Sequence, residues 1–256
     1  MTHFSALILG IVEGFTEFLP ISSTAHLILV SKLIGISQDN FVKTFEIAIQ
    51  SGAILAVIIL FWKKFTNIEN LKKIVVAFIP TGIIGLALYK IVKTYLLGNI
   101  PVVLSALLLG GIILIIFEKK FKEKTGTSVK NIQDMSYKQS AYVGLYQAIA
   151  IIPGVSRSGA TILGGMLLGI SRETIVEFSF LLAVPTMLAA TGLDLLKNLH
   201  AFSSAQFGTL GLGFIASFVT AIIGIKFLLD YIRKHSFSAF GVYRIIIAIL
   251  FFFVFL

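Results

Sequence analysis

Cysteine is absent from the 256 residues, which excludes disulfides, thiolate nucleophiles and cysteine-bound zinc while leaving the compartment open. Charge is scarce. Only 13% of residues are Asp, Glu, Lys or Arg, where a soluble protein carries about 25%. With 57% hydrophobic residues and a mean hydropathy of +0.98, the chain reads as an all-α polytopic membrane protein. The opening residues, MTHFSALILGIVEGF, have neither a basic leader nor a small-residue cleavage site, so no removable signal peptide is expected. The net charge of +9 is assigned to lysines in membrane-flanking loops, and no nucleic-acid partner is expected.

Six segments are long and apolar enough to cross a hydrocarbon core of roughly 30 Å, near 45–62, 74–92, 101–117, 174–195, 207–228 and 239–256. Two others, near 4–36 and 140–170, are interrupted by Pro20 and by Pro153-Gly154. Their arms of about 15 residues would rise only ~22 Å as helices, which suits re-entrant hairpins better than spans. With that layout, fourteen Lys and Arg residues fall on one side, in loops 63–73, 118–138 and 226–235 and at Arg172. The other side receives Lys32, Lys43, Lys90, Lys93 and Lys197, so both termini are expected outside. The loop 118–138 is read as a charged, solvated cytoplasmic connection.

The halves resemble each other. Sliding residues 10–37 by 134 positions lays Gly10 on Gly144, Ser22 on Ser156 and Gly35-Ile36-Ser37 on Gly169-Ile170-Ser171, matching eight of 28 positions. One membrane domain, 1–256, is therefore expected to contain repeat 1 (about 1–117) and repeat 2 (about 139–256). Three spans per half make the repeat inverted, so that the two hairpin tips meet near the midplane.

Both tips are polar. EGFTEFLPISSTAH at 13–26 and PGVSRSGAT at 153–161 each follow proline with hydroxyls and then an apolar helical run. Such hydroxyls cap helices, and two capped N-termini facing one volume suit an anion, phosphate above all. Ser22, Thr24, Ser156, Ser158 and Thr161 are candidate phosphate-binding residues, with Gly154 and Gly159 permitting close backbone approach. Arg157 adds a planar charge able to grip phosphate oxygens, or alternatively an ion pair with Glu13 or Glu17 that fastens the hairpins. Glu13 and Glu17, four apart on one helical face, suit a divalent cation, Mg²⁺ or Ca²⁺, shared with phosphate. Ser23 and His26 form a candidate nucleophile and base on one helical turn. Among lesser features, Arg244 lies close enough to a span end to snorkel, and Gln50 suits an interhelical hydrogen bond. Asp194 marks the outer interface. The small-residue stretch LGLGFIAS at 210–217 fits either a homodimer face or internal packing.

EGFTEFLPISSTAHL at 13–27 and PGVSRSGATI at 153–162 resemble the two signature segments of the bacterial undecaprenyl-diphosphatase family, also called bacitracin-resistance proteins. The resemblance continues through FEIAIQSGAILAV and FLLAVPTMLAATGLDLL. It implies an integral phosphatase of the bacterial inner membrane that converts undecaprenyl diphosphate to the monophosphate for envelope glycan synthesis. Divalent-metal dependence and an extracytoplasmic active site are implied too, with Glu13, Glu17, Ser23, His26 and Arg157 as the catalytic set. Whether serine, histidine or water attacks stays open. The rival is a transporter or flippase of an anionic lipid, which would need the same phosphate cradle but no nucleophile.

Overall fold

The computed structural model describes residues 1–36, 40–96, 98–121, 128–197 and 206–255. The expectations at Asp194 and at Lys43, Lys93, Lys122, Lys124 and Lys197 lie outside the described residues or their described side chains. Among these described residues ten α-helices follow in order: α1 (His3–Glu17), α2 (Ser23–Leu33), α3 (Asn40–Phe65), α4 (Ile68–Ile91), α5 (Ile100–Lys120), α6 (Tyr137–Ala148), α7 (Arg157–Leu167), α8 (Arg172–Lys197), α9 (Phe207–Ile232) and α10 (Ser238–Phe255). Among the described residues, six of these (α3, α4, α5, α8, α9 and α10) are long and apolar enough to cross a membrane. They correspond to the six expected spans.

Proline chemistry sets the breaks. Pro20 disfavours helical geometry at Leu19, and α1 stops at Glu17. The chain then turns through Ser22, at φ 71°, whose hydroxyl accepts from Ala25 N at 3.5 Å to start α2. The second break repeats this at Ser156, φ 74°, whose hydroxyl accepts from Gly159 N at 3.1 Å to start α7. Ser22 and Ser156 are the two non-glycine residues with positive φ among those described.

The ends of the broken pairs contact the ends of other helices. His3 at the start of α1 hydrogen-bonds Thr209 at the start of α9 (3.0 Å). Lys32 at the end of α2 lies over the Phe255 ring at the end of α10, 4.4 Å from its centroid. At the opposite end, Gln139 in the first turn of α6 donates to Leu168 O just past α7 (3.0 Å). The packing also exchanges between halves: α1 lies on α9 as α6 lies on α4, while α5 meets α10 and α3 meets α8. Small residues close these seams. A Cβ on Gly14 would sit 2.1 Å from Ser217 O, and one on Gly144 1.9 Å from Ala77 O. The stretch 210–217 is thus used inside the chain: Gly213 and Ser217 face Gly10 and Gly14.

Two local expectations need correction. Lys73, counted as a loop lysine, lies inside α4, is buried, and donates to Ile132 O (3.0 Å) and to Gln133 O. The loop expected to be wholly solvated is anchored over its second half. Ile132 and Met135 are buried, and Val129 pairs with the α7–α8 turn through Val129 N to Gly169 O and Ser171 N to Val129 O, each 2.9 Å. An ammonium that satisfies backbone carbonyls at a helix start avoids the cost of lying buried without partners.

Candidate active site

The two corners meet. Ser158, fully buried, donates to Leu19 O across the break (2.8 Å), which brings α7's first turn against the end of α1. Arg157 then reaches Glu17: Nη2 and Nε both donate to Oε1, at 3.1 and 3.3 Å. Its Nη1 donates to Ser179 O of α8 at 2.9 Å, and the guanidinium lies 5.8 Å from the Phe18 ring centroid. The other Glu17 oxygen accepts from Ser23 Oγ. Acid, hydroxyl and guanidinium therefore form one linked set, built from both corners. The ion pair offered as a fastening alternative exists, and it sits on a cavity wall.

That cavity holds about 480 Å³. At one end its wall carries Glu17, Ser22, Ser23, Thr24, Gly154, Ser156 and Arg157, with Pro153 beside them. It continues between α3, α4, α6 and α8 past Phe78, Gly82, Gly85, Leu86, Tyr89 and Val92 of α4, and past Met187, Ala189 and Ala190 of α8. The cavity thus joins a polar, cationic group of side chains to a largely apolar lining, a combination that suits a charged headgroup with a hydrocarbon tail. Gln50, expected to bridge helices, lines this cavity.

Comparison with known proteins gives the family. The family model for bacitracin resistance protein BacA matches residues 6–250. The chain belongs to this family. Among its relatives, the undecaprenyl-diphosphatase of Sulfurihydrogenibium sp. is 50% identical over 252 residues, 98% of this chain and 99% of the relative. That of Aquifex aeolicus is 50% identical over 252 residues, 98% of each chain. That of Wolinella succinogenes is 50% identical over 254 residues, 99% of this chain and 98% of the relative.

Of the remaining candidate residues, Gly154 is on the cavity wall, and Ser158, Thr161, Gly159 and His26 are buried beside it. Ser158 is held by Leu19, and Thr161 donates to Arg157 O at 2.8 Å. Gly154 has φ 98°, and a Cβ there would lie 2.6 Å from Val103 O, so it permits approach to α5. At Gly159 a Cβ would meet Ser156 Oγ at 3.3 Å. His26 is engaged at both nitrogens, Nδ1 with Ser22 O and Nε2 with the Tyr243 hydroxyl, each at 2.8 Å. A carbonyl can only accept, so Nδ1 carries the proton. In the neutral ring Nε2 then accepts from Tyr243. The hydroxyl of Ser23 is given to Glu17, whereas the sequence spacing had offered it to His26.

Glu13 is fully buried, and neither carboxylate oxygen has a hydrogen-bond partner. It lies within electrostatic reach of Glu17, Glu46 and Arg157. A buried carboxyl in that condition requires a proton, a cation or water. Among the described residues no group of three or more His, Asp or Glu side chains is placed to hold a metal ion. A hard cation on Glu13 and Glu17 would therefore complete its shell with phosphate oxygens and water, as Mg²⁺ commonly does.

Arg244 overturns the expectation that it snorkels. It lies six residues past the start of α10, is 1% exposed, and directs its five donors at five carbonyls. Nη1 donates to Pro20 O (3.2 Å) and Val155 O (3.1 Å), Nη2 to Gly154 O (2.9 Å) and Ala106 O (3.0 Å), and Nε to Leu107 O (3.3 Å). Both corners are thereby clamped to α5 and α10. Gly110 makes room, since a Cβ there would lie 2.0 Å from Nη2. The signal in the sequence is a lone arginine preceded by FGVY and followed by III, too deep in an apolar helix for its charge to reach water.

Proposed function

We propose that the chain hydrolyses undecaprenyl diphosphate to undecaprenyl phosphate and inorganic phosphate, recycling the lipid carrier of the bacterial cell envelope. The observation that carries this reading is the Ser23–Glu17–Arg157 set at the polar end of a headgroup-and-tail cavity. It is joined by 50% identity, over nearly the whole chain, to proteins named undecaprenyl-diphosphatase. A lipid transporter would need the cradle without a hydroxyl hydrogen-bonded to a carboxylate.

In the mechanism that this geometry favours, Glu17 takes the Ser23 proton as the serine oxygen bonds to the terminal phosphorus. The bridging P–O bond then breaks, and the lipid phosphate leaves. Water next cleaves the phosphoserine, releasing inorganic phosphate and restoring the hydroxyl. Arg157 and the positive N-terminal ends of α2 and α7 stabilise charge on the transferring group. His26, tied to Ser22 O and Tyr243, holds the corner that presents Ser23. Glu13 and Glu17 would hold Mg²⁺ or Ca²⁺, which when bound neutralises phosphate charge.

The finer architecture belongs to the same reading. The two broken pairs are re-entrant hairpins of an inverted repeat, supported by the matched serine corners and the exchanged packing. With the basic connections on the cytoplasmic side, the cavity follows the outer halves of α3, α4 and α8, so it opens extracytoplasmically. The decisive experiment is phosphate release from a long-chain prenyl diphosphate by purified protein in detergent, with and without chelator. Activity is expected with divalent cation and is expected to collapse in Ser23→Ala. Full activity of that variant would sink the serine route, and a phosphoserine trapped at position 23 would support it.

A further inference from the structure

Glu13 has a counterpart in the second half. The 134-residue offset that lays Ser22 on Ser156 lays Glu13 on Gln147. Both are buried, at 0% and 2% exposure, and both present side-chain oxygens without a partner: Glu13 both carboxylate oxygens, Gln147 its Oε1. Neighbouring hydroxyls fix how the Gln147 amide points. Thr81 Oγ1 donates to Gly144 O and Thr186 Oγ1 to Leu182 O, each at 2.7 Å. With their protons so used, the two hydroxyls accept from Gln147 Nε2, at 3.1 and 3.0 Å. Both amide hydrogens are consumed, leaving Oε1 as an acceptor with no donor.

Thr81, Gln147 and Thr186 all line the cavity that holds Glu17, Ser23 and Arg157. Thr186 lies seven residues beyond Ser179, the residue that holds the Arg157 guanidinium, or about 10 Å along α8. Gln147 therefore stands between the cationic pole and the apolar trough, where the headgroup of a bound lipid meets its tail. We infer that Gln147 is a positioning residue for the phosphate that stays on the lipid, its Oε1 accepting an O–H at that phosphate. The donor is a water bound to that phosphate, because the single acidic oxygen on the lipid side of a diphosphate is ionised near neutral pH. Such a water donates one hydrogen to Gln147 Oε1 and the other to a phosphate oxygen. The ionisable side chains on the same wall are Glu17 of α1, Tyr89 of α4 and Arg157 of α7.

This inference rests on the phosphatase reading, and Gln147→Leu tests it. In purified protein the variant is expected to raise KM for a long-chain prenyl diphosphate about ten-fold, the effect of one lost hydrogen bond. The inhibition constant of prenyl monophosphate should rise in parallel, while kcat stays within about three-fold and thermal melting is unchanged. The effect should persist as pH rises past the ionisation of the terminal phosphate, at about 6, because a bridging water keeps its hydrogens; fading there would overturn the contact. Gln147→Glu should raise KM further at every divalent-cation concentration, because it sets a negative charge beside the phosphate. Unchanged KM and inhibition constant would overturn the inference. So would a kcat loss with lowered melting and no KM change, which marks a purely structural bracket, or a Gln147→Glu variant needing less divalent cation, which marks a metal ligand. Should wild type release no phosphate at all, the enzymatic reading fails by itself. Binding of labelled prenyl monophosphate to wild type and Gln147→Leu then still tests the contact.

Discussion

Two arginines inside the bundle have opposite assignments, and the difference lies in their partners. Arg157 pairs with a carboxylate on a cavity wall, while Arg244 is saturated by five backbone carbonyls away from it. Arg157→Lys keeps the charge but loses the fork, so kcat should fall by about 10²-fold or more with little change in melting. Arg244→Lys offers three donors to five carbonyls. Two hydrogen bonds lost should cost about 2 kcal/mol or more, lowering the melting temperature in detergent. Equal melting for Arg244→Lys and wild type would show that the five hydrogen bonds contribute little. At this scale the motif residues Glu17, Ser23 and Arg157 could be named from their neighbours in sequence. Tyr243 could not, because nothing near position 243 in the chain indicates that its hydroxyl meets a histidine 217 residues away.

At the scale of the element, the informative feature is a serine that holds a glycine's backbone conformation. Ser22 and Ser156 cap α2 and α7 from positive φ, where a side chain is strained. Glycine at either position would relieve that strain and lose the cap, whereas alanine would lose the cap and keep the strain. Capping hydroxyls are worth about 1 kcal/mol against alanine and only a few tenths against glycine. Ser156→Gly should therefore melt close to wild type and Ser156→Ala clearly below it. The reverse order would contradict the strain argument, and an equal, large loss in both variants would show that the hydroxyl itself, through its 3.1 Å contact with Ser158, holds the corner. The element boundaries were largely legible, because proline, capping residues and apolar runs act within a few residues. The start of α4 was not: Asn67 caps it by accepting from Asn70 N at 3.1 Å, which carries the helix through the lysines that had been read as loop.

For the molecule as a whole, the question is which way the trough faces. Only 11% of the apolar window of α4 is buried inside the bundle, against 61% for α8, so α4 is an outer wall with hydrocarbon on one side and the cavity on the other. Gly85 of α4 lines that cavity, and a Cβ there would meet nothing within 4 Å. With no native cysteine, Gly85→Cys provides a single thiol. In intact cells it should react with a membrane-impermeant thiol reagent added outside, whereas Lys138→Cys should react only after lysis. The opposite pattern would reverse the orientation derived from the basic loops. The same open space predicts that Gly85→Phe impairs long-chain prenyl diphosphates more than short-chain ones, read as the ratio of kcat/KM between them.

Local composition was enough for the helical class, the six apolar spans, the two breaks and the polar residues that gather at them. Each of these follows from hydrophobic length, from proline's missing donor or from a side chain's reach to its own backbone, forces that act over a few residues. The partners were decided by tertiary structure alone. Ser23 donates to Glu17, His26 faces Tyr243, Arg244 clamps both corners, and Gln147 is held by two threonines with its oxygen left without a partner. Hydrogen bonds depend on distance and angle at the ångström scale, and across a bundle those are set by how helices distant in sequence pack.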